Sequence, residues 1–222
     1  MARSDRQIVT VDVVLITLIS QRLHVGLLRR DAEPFKHRLA LIGGYVHADK
    51  DRNTADTAKR VLRTKTGLDG FFIEQLETFS GPDRDPRGWS VSVAYFALTP
   101  WSRLQAALGA APSLTMVPVD EVPPLPFDHR AILASALQRL RSKGAYSTLP
   151  ARLLDETFTL SELMEAYRVA QGLARIDKSS FRRKLAELAL VEPVEGERAE
   201  TGGRAAQLYR TRQPVSIFDR RL

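Results

Sequence analysis

The chain has no cysteine in its 222 residues. Disulfides and thiolate metal sites are therefore excluded, and the composition suits a reducing compartment. It also lacks a membrane-length apolar run. The longest mostly apolar stretch, Ile8 to Ile19, carries Asp12 inside it and falls short of the ~20 residues a span needs. No small-residue cleavage site follows, so neither a signal peptide nor a membrane partner is expected, and the expected location is the cytoplasm. Internal repeats and low-complexity tracts are missing too. The formal net charge is +7, yet from Gly144 onward 13 Lys and Arg face 11 Asp and Glu. The excess is therefore not a basic tail. What remains is ordinary for a folded chain: 44% hydrophobic and 27% charged residues, at a length that suits one large domain or two small ones.

The first two-thirds reads as mixed strand and helix. The β-branched run Ile8–Ile19, a polar turn at Ser20-Gln21-Arg22 and the apolar run Leu23–Leu28 predict a hairpin. Arg38–Ile42 predicts a third strand ending in Gly43-Gly44. Asn53 is expected to cap a helix to about Thr66, with Ala55, Ala58, Val61 and Leu62 at helical spacing and Gly67 as its stop. Phe71–Phe79 and Ser90–Leu98 read as strands around a loop dense in Gly, Pro and Asp. A short helix is expected at Leu104–Ala111, and a longer one at about Asp128 to Lys143 after a proline-rich stretch.

Beyond Gly144 the pattern changes. Thr159-Leu160-Ser161-Glu162 is a capping-box sequence, and the helix it opens is expected to run to Gln171, before Gly172. Asp177 can cap a second helix from Lys178 to about Leu190, with Phe181, Leu185, Leu188 and Ala189 as its apolar stripe. Val191–Val194 and Ala206–Arg210 then read as a hairpin around a polar tip. Helix, helix and hairpin in this order predict a winged helix-turn-helix. Within it, Arg175, Lys178, Arg182, Arg183 and Lys184 cluster against one acid, Asp177, a pattern that suits a phosphate backbone or a solvated face.

The segment Gly44–Leu68 resembles the Nudix box, G-x5-E-x7-R-E-U-x-E-E-x-G-U with U apolar. Arg60, Leu62, Gly67 and Leu68 match, and the surrounding strands suit the Nudix fold over roughly residues 8–140. The glutamates that hold divalent cations in Nudix hydrolases are replaced by Val61, Thr64 and Lys65. Divalent ions of this kind need hard oxygen ligands. An ammonium at ~4 Å repels each unit of positive charge by about 4 kcal/mol at an effective dielectric of ~20. The loop from Gly44 to Arg60 is two residues longer than the pattern and puts its glutamate position at Lys50 or Arg52, with Asp49 and Asp51 nearby.

Taken whole, the chain resembles the Nudix-related transcriptional regulators of NAD metabolism, the NrtR and NadQ group. The resemblance is carried by Gly43-Gly44-Tyr45-Val46-His47, Pro82-Asp83-Arg84-Asp85-Pro86-Arg87-Gly88-Trp89, Phe127-Asp128-His129, Phe158-Thr159-Leu160, Asp177-Lys178-Ser179-Ser180-Phe181-Arg182-Arg183-Lys184-Leu185 and Leu208-Tyr209-Arg210. It implies an α+β chain. Residues 1–145 would form a Nudix-fold mixed-sheet α/β/α sandwich that senses a ligand. Residues 146–222 would form a winged helix that binds a palindromic double-stranded operator as a homodimer. It implies repression of genes for NAD synthesis or salvage, an effector such as ADP-ribose with NAD and ATP as alternatives, and no required cofactor or metal.

Candidate ligand-binding residues are Arg38, Gly43, Gly44, Arg60, Arg87, Trp89, Asp128 and His129. Basic side chains suit a diphosphate, paired glycines admit a ligand close to the backbone, and Trp89 suits adenine stacking or a place in the core. Asp128 can equally cap a helix. Candidate DNA-binding residues are Lys178, Ser179, Ser180, Arg182, Arg183 and Lys184 on the second helix, with Arg198 and Arg204 flanking the wing tip. No catalytic residue is assigned. Two other readings stay open at this point: an active Nudix pyrophosphatase acting on ADP-ribose or a related nucleoside diphosphate, and a nucleotide-binding protein with no role on DNA.

Overall fold

A computed structural model describes residues 7–109, 113–201, 204–213 and 215–218. The chain divides into two compact units, Met1–Thr17 with His24–Leu137, and Leu18–Leu23 with Gln138–Leu222. The sequence reading put a boundary between 145 and 146. The division instead falls inside one continuous helix, and the tip of the first hairpin groups with the second unit.

The first unit is built on a seven-stranded mixed sheet. Strands β1 (Ile8–Ile19) and β2 (Arg22–Arg29) form the first hairpin; β3 (Leu39–Ala40) and β4 (Ile42–Tyr45) follow, then β5 (Phe72–Gly81), β6 (Ser90–Leu98) and β7 (Leu114–Pro118). The main path runs β3-β2-β1-β6-β5, with β4 paired to β1 and β7 to β2. β1 and β6 are parallel, with Asp12 opposite Ala94, and β4 is antiparallel to β1. Helix α1 (Thr54–Thr66) has Asn53 accepting from the Asp56 N–H at its start and left-handed Gly67 at its end. It packs Ala58, Val61 and Leu62 onto Val11, Val13, Leu15 and Ile42. Because strand side chains alternate, Asp12, between Val11 and Val13, takes the other face. There it meets His129, the first residue of helix α3 (His129–Gly144).

Three details differ from the sequence reading. The strand expected at 38–42 is two short pieces, because the Leu41 N–H donates to His129 Nδ1 and leaves the ladder there. Helix α2 (Trp101–Leu108) begins three residues earlier than expected, since Pro100 supplies a fixed φ of −59° just ahead of it; the expected end at Ala111 lies outside the described residues. β7 was hidden among prolines. Among the described residues it pairs with β2 alone, and Pro118 stands at its end opposite His24, a position where a missing N–H is tolerated.

In the second unit, a 3₁₀ turn (Leu149–Leu153) and β8 (Phe158–Thr159) precede α4 (Leu160–Gln171) and α5 (Lys178–Glu187), and β9 (Val191–Thr201) and β10 (Arg204–Thr211) close it. The sheet order is β8-β10-β9. Both halves of the Thr159–Glu162 capping box are formed. Phe158, Leu163, Tyr167, Phe181, Leu185 and Leu190 make the core. Helix α5 stops at Glu187, short of Leu190, because Ala189 turns to a positive φ of 48°. β9 and β10 extend further toward the wing tip than their apolar parts suggested, since backbone pairing continues through the polar stretch from Arg198 opposite Gln207 to Thr201 opposite Arg204.

The paired glycines are fixed by packing on two faces. A Cβ on Gly43 would lie 2.3 Å from Asp12 Oδ1 and 3.1 Å from the Val11 carbonyl, and one on Gly44 would lie 2.9 Å from a Val61 methyl. Gly43→Ala should therefore lower stability by about 1–3 kcal/mol. Gly109→Ala, where an added Cβ meets nothing within 4 Å, should stay within about 0.5 kcal/mol of the wild type. Denaturant melts of the two variants check this; equal midpoints would refute the packing account.

Candidate ligand cavity and nucleic-acid face

The first unit holds a cavity of about 460 Å³. Its floor is the crossing of β1 and β4 at Thr10, Asp12, Gly43 and Gly44. Val61, Thr64 and Lys65 of α1 form one wall, and Arg84, Asp85, Arg87, Phe127 and His129 form another. Arg30, Asp31 and Glu33 also line it.

Asp12 is a buried charge in the cavity wall. Its Oδ2 accepts from the Ser92 hydroxyl at 2.7 Å and lies 3.5 Å from the Arg84 guanidinium. Its Oδ1 lies 3.4 Å from His129 Nε2. Since His129 Nδ1 accepts the Leu41 N–H, Nε2 is the nitrogen that can carry a proton toward Asp12. Burial alone would raise the Asp12 pKa, but His129, Ser92 and Arg84 together outweigh it and hold the carboxyl below its ordinary value. Arg84 continues the network, donating to both oxygens of Asp128 at 2.8 and 2.9 Å.

Helix α1 carries a second ion pair. Arg60 donates to the two oxygens of Asp51 at 2.7 and 2.6 Å and to the Tyr45 carbonyl at 2.9 Å. Asp51 also accepts from the His47 N–H and the Thr57 hydroxyl. The Arg60 hydrogen bond, chiefly, holds Asp51 far below the usual carboxylate range. The sequence left Asp49 and Asp51 as neighbours of the box's glutamate position; Asp51 is the acid that reaches Arg60. Its other partner groups, His47 and Thr57, lie within six residues, so the pair clips the loop ahead of α1 to the helix.

Five of the eight residues expected at the ligand site line the cavity: Gly43, Gly44, Arg60, Arg87 and His129. The glycines are there for packing, and the Arg60 fork is occupied by Asp51. Arg87 holds both oxygens of Asp85, donates to the Tyr45 hydroxyl and lies 5.7 Å from the centre of the Tyr45 ring. The other three do not line it. Arg38 is exposed and donates to the Pro124 carbonyl at 3.1 Å. Trp89 is 49% exposed; it neither fills the core nor faces the cavity. Asp128 offers its side chain to Arg84 rather than capping α3. The sequence reading did not single out Asp12, Arg30, Arg84 or Phe127 as site residues. Phe127 packs against Phe35 and His129 at 4.9 and 5.1 Å between ring centres, with Arg30 4.9 Å from its own.

The resemblance to Nudix hydrolases raises the question of a divalent cation. Val61, Thr64 and Lys65 all face the cavity and supply a branched hydrocarbon, a hydroxyl and an ammonium. Among the described residues no group of three or more His, Asp or Glu is placed to hold a metal. This donor set does not fit a divalent ion, which takes carboxylates and other hard oxygens.

On the second unit, α5 begins at Asp177, whose Oδ1 accepts the Ser180 N–H at 2.7 Å. Phe181 and Leu185 are buried under the helix, while Lys178, Ser179, Arg182 and Arg183 are exposed and Ser180 and Lys184 half-buried. Arg183 leans on Ser180 and Glu187 at 3.3 and 3.7 Å. Arg182 makes no hydrogen bond or ion pair among the described residues. Arg198 is exposed on β9. The Arg204 side chain lies outside the described residues.

Comparison with known proteins agrees on both units. Residues 150–211 match the family model of the NrtR DNA-binding winged helix domain. The chain is 36% identical over 205 residues to the ADPR responsive transcriptional repressor NtrR of Acinetobacter baylyi, covering 91% of this chain and 81% of that one. It belongs to the NrtR family. The structure of Shewanella oneidensis NrtR complexed with a 27mer DNA superposes with a TM-score of 0.89 at 34% identity, covering 97% of this chain and 100% of that one. The Nudix domain of the same protein complexed with ADP ribose superposes with a TM-score of 0.56 at 36% identity, covering 62% and 90%. An ADP-ribose pyrophosphatase of Methanocaldococcus jannaschii is 31% identical over 116 residues, 52% of this chain and 67% of that enzyme. The chain thus joins a Nudix-like α/β domain to a C-terminal winged helix.

The Asp51–Arg60 clip predicts a pH signature. A carboxyl whose folded pKa is depressed stabilises fully above its unfolded value, about 3.9, and loses that contribution as pH falls toward the folded value. Asp51→Asn should melt at a lower temperature than wild type at pH 7, and the gap should shrink below pH ~4. Thermal melts across that range test it; a gap that stays constant or widens in acid would rule out the depressed carboxylate as the source.

Proposed function

We propose that this protein is a transcriptional repressor whose DNA affinity is set by ADP-ribose, or a chemically related NAD-derived nucleotide, bound in the first unit. It acts as a homodimer in the cytoplasm, on a palindromic operator beside genes of NAD synthesis or salvage, and needs no cofactor. The observation that carries this reading is a cavity lined by five cationic side chains, with no metal-binding donor set among the described residues, in one chain with a helix that turns Lys178, Arg182 and Arg183 to solvent. Binding without turnover is what a sensor requires. Within the cavity, basic side chains suit a diphosphate, and the Phe127 and Tyr45 rings suit adenine.

The DNA face supports the same reading. A winged-helix recognition helix brings its N-terminal residues to base edges and phosphates. Arg182 is uncommitted and suits a guanine edge; Lys178, Ser179 and Ser180 suit phosphates. Arg183, Lys184, Arg198 and Arg204 are assigned to backbone contacts. The pyrophosphatase relative favours a second reading, hydrolysis of ADP-ribose. Val61, Thr64 and Lys65 oppose it, because they cannot supply the carboxylates that a magnesium-assisted phosphoryl transition state needs.

Gel shifts on DNA upstream of the protein's own gene, titrated in parallel with ADP-ribose, NAD and ATP, test the proposal. ADP-ribose should release the DNA; retention at saturating concentrations of all three would refute ligand control. Arg182→Ala should weaken operator binding by about 1–3 kcal/mol if the side chain reads a base, while leaving the melting curve intact. Operator affinity unchanged in both Arg182→Ala and Arg183→Ala would mean that α5 is not the reading helix. Hydrolysis of ADP-ribose in magnesium or manganese should remain far below ordinary enzyme rates of roughly 1 per second and above; turnover in that range would favour the enzyme.

A further inference from the structure

We infer that the Lys65 ammonium replaces a divalent metal in the cavity, so that the diphosphate of a nucleotide ligand is bound there directly and independently of metal. The inference rests on the nucleotide-binding reading above and adds how the phosphates are held.

Five cations line the cavity: Arg30, Arg60, Lys65, Arg84 and Arg87. Arg60 is held by Asp51, Arg84 by Asp128 and Asp12, and Arg87 by Asp85. Arg30 gives two of its N–H groups to the carbonyls of Pro34 and Ala32, at 2.8 and 3.3 Å, and lies over the Phe127 ring. Lys65 is exposed and makes no hydrogen bond or ion pair among the described residues. Among the described residues it is thus the lining cation with none of its donors committed.

Its position matters as much as its freedom. Lys65 is one turn beyond Val61 on α1, and both face the cavity beside Thr64. These are the positions where the resemblance to Nudix hydrolases expects carboxylates around a metal. Of the cavity's own acids, Asp12 is held by Ser92, Arg84 and His129 and Asp85 by Arg87, while Asp31 and Glu33 are exposed. A divalent ion beside Lys65 would meet a like charge. A diphosphate there meets a compact cation with three donors on a flexible stem, beside the Thr64 hydroxyl. The substitution that removes the metal site therefore leaves a positive charge in the metal's place.

The test is calorimetry on the full chain with two probes, ADP-ribose and inorganic pyrophosphate, each in EDTA and in magnesium. Wild-type Kd for ADP-ribose should agree within about twofold between the two conditions. Lys65→Met should weaken ADP-ribose roughly tenfold or more in both, about 1.4 kcal/mol, and Lys65→Arg should recover part of that loss. Because Lys65 is exposed, these variants should melt like wild type. Lys65→Glu should weaken binding in EDTA and regain affinity with magnesium, a reversal that a merely structural lysine would not give. Loss of wild-type binding in EDTA, or unchanged affinity in Lys65→Met, overturns the inference while leaving ADP-ribose as the effector. Lys65-dependent binding of pyrophosphate without binding of ADP-ribose supports the inference and rejects that effector. If neither probe binds, both fall.

Discussion

Asp12 is a carboxylate in the middle of the strand on which the first unit is built, and it is 6% exposed. A charge at such depth is tolerated only when paired and hydrogen-bonded. Ser92 supplies a hydroxyl from the parallel neighbour β6, Arg84 comes from the loop before it, and His129 comes from the start of α3. Meeting the needs of one buried group thus joins three chain segments far apart in sequence. The same group explains Gly43, since a Cβ there would strike Asp12 Oδ1, and the break between β3 and β4, since His129 takes the Leu41 N–H on its other nitrogen. Through Arg84 it also fixes Asp128, the residue before α3.

On the opposite face of β1 the logic is apolar. Val61, Leu62 and Ala58 seat α1 on the sheet, and Gly44 lets Val61 approach. The Asp51–Arg60 pair then clips the loop before the helix in place. The parts of the Nudix-like box that build its shape are therefore present here as glycine, arginine and an acid, while the positions facing the cavity have changed chemistry. Val61 does both, packing in the core and lining the cavity, while Thr64 and Lys65 are the exposed box positions that leave the seat of the helix untouched.

Much of this was legible in the sequence, and the exceptions have physical causes. Helix α1, with its Asn53 cap and Gly67 stop, and the Thr159–Glu162 capping box follow from local spacing and side-chain chemistry, which sequence carries directly. So do the burial of Phe181 and Leu185 and the solvent exposure of Arg182. β7 was obscured because Pro118 reads as a breaker, although a strand end tolerates it. The ligand site was only half legible because its groups are defined by long-range pairing. Asp12 looks like a flaw in an apolar run until Ser92, Arg84 and His129 arrive from residues 84 to 129. Trp89 and Arg38 have the right chemistry for a nucleotide, but strand register and the Pro124 carbonyl direct them elsewhere.

The central claim is that one ligand and one stretch of DNA compete through the protein. A ligand can shift DNA binding only by preferring one arrangement of the chain over another, and the coupling must be reciprocal. Helix α3 spans His129–Gly144 and carries the chain from the His129 network to the second unit. The most direct measurement is the calorimetric affinity of ADP-ribose for free protein and for protein saturated with operator DNA. The account predicts weaker binding to the DNA complex, by the same factor, on the order of 5- to 150-fold, by which ADP-ribose weakens operator binding. Equal affinity for the free and DNA-bound forms would contradict it, however tightly ADP-ribose binds.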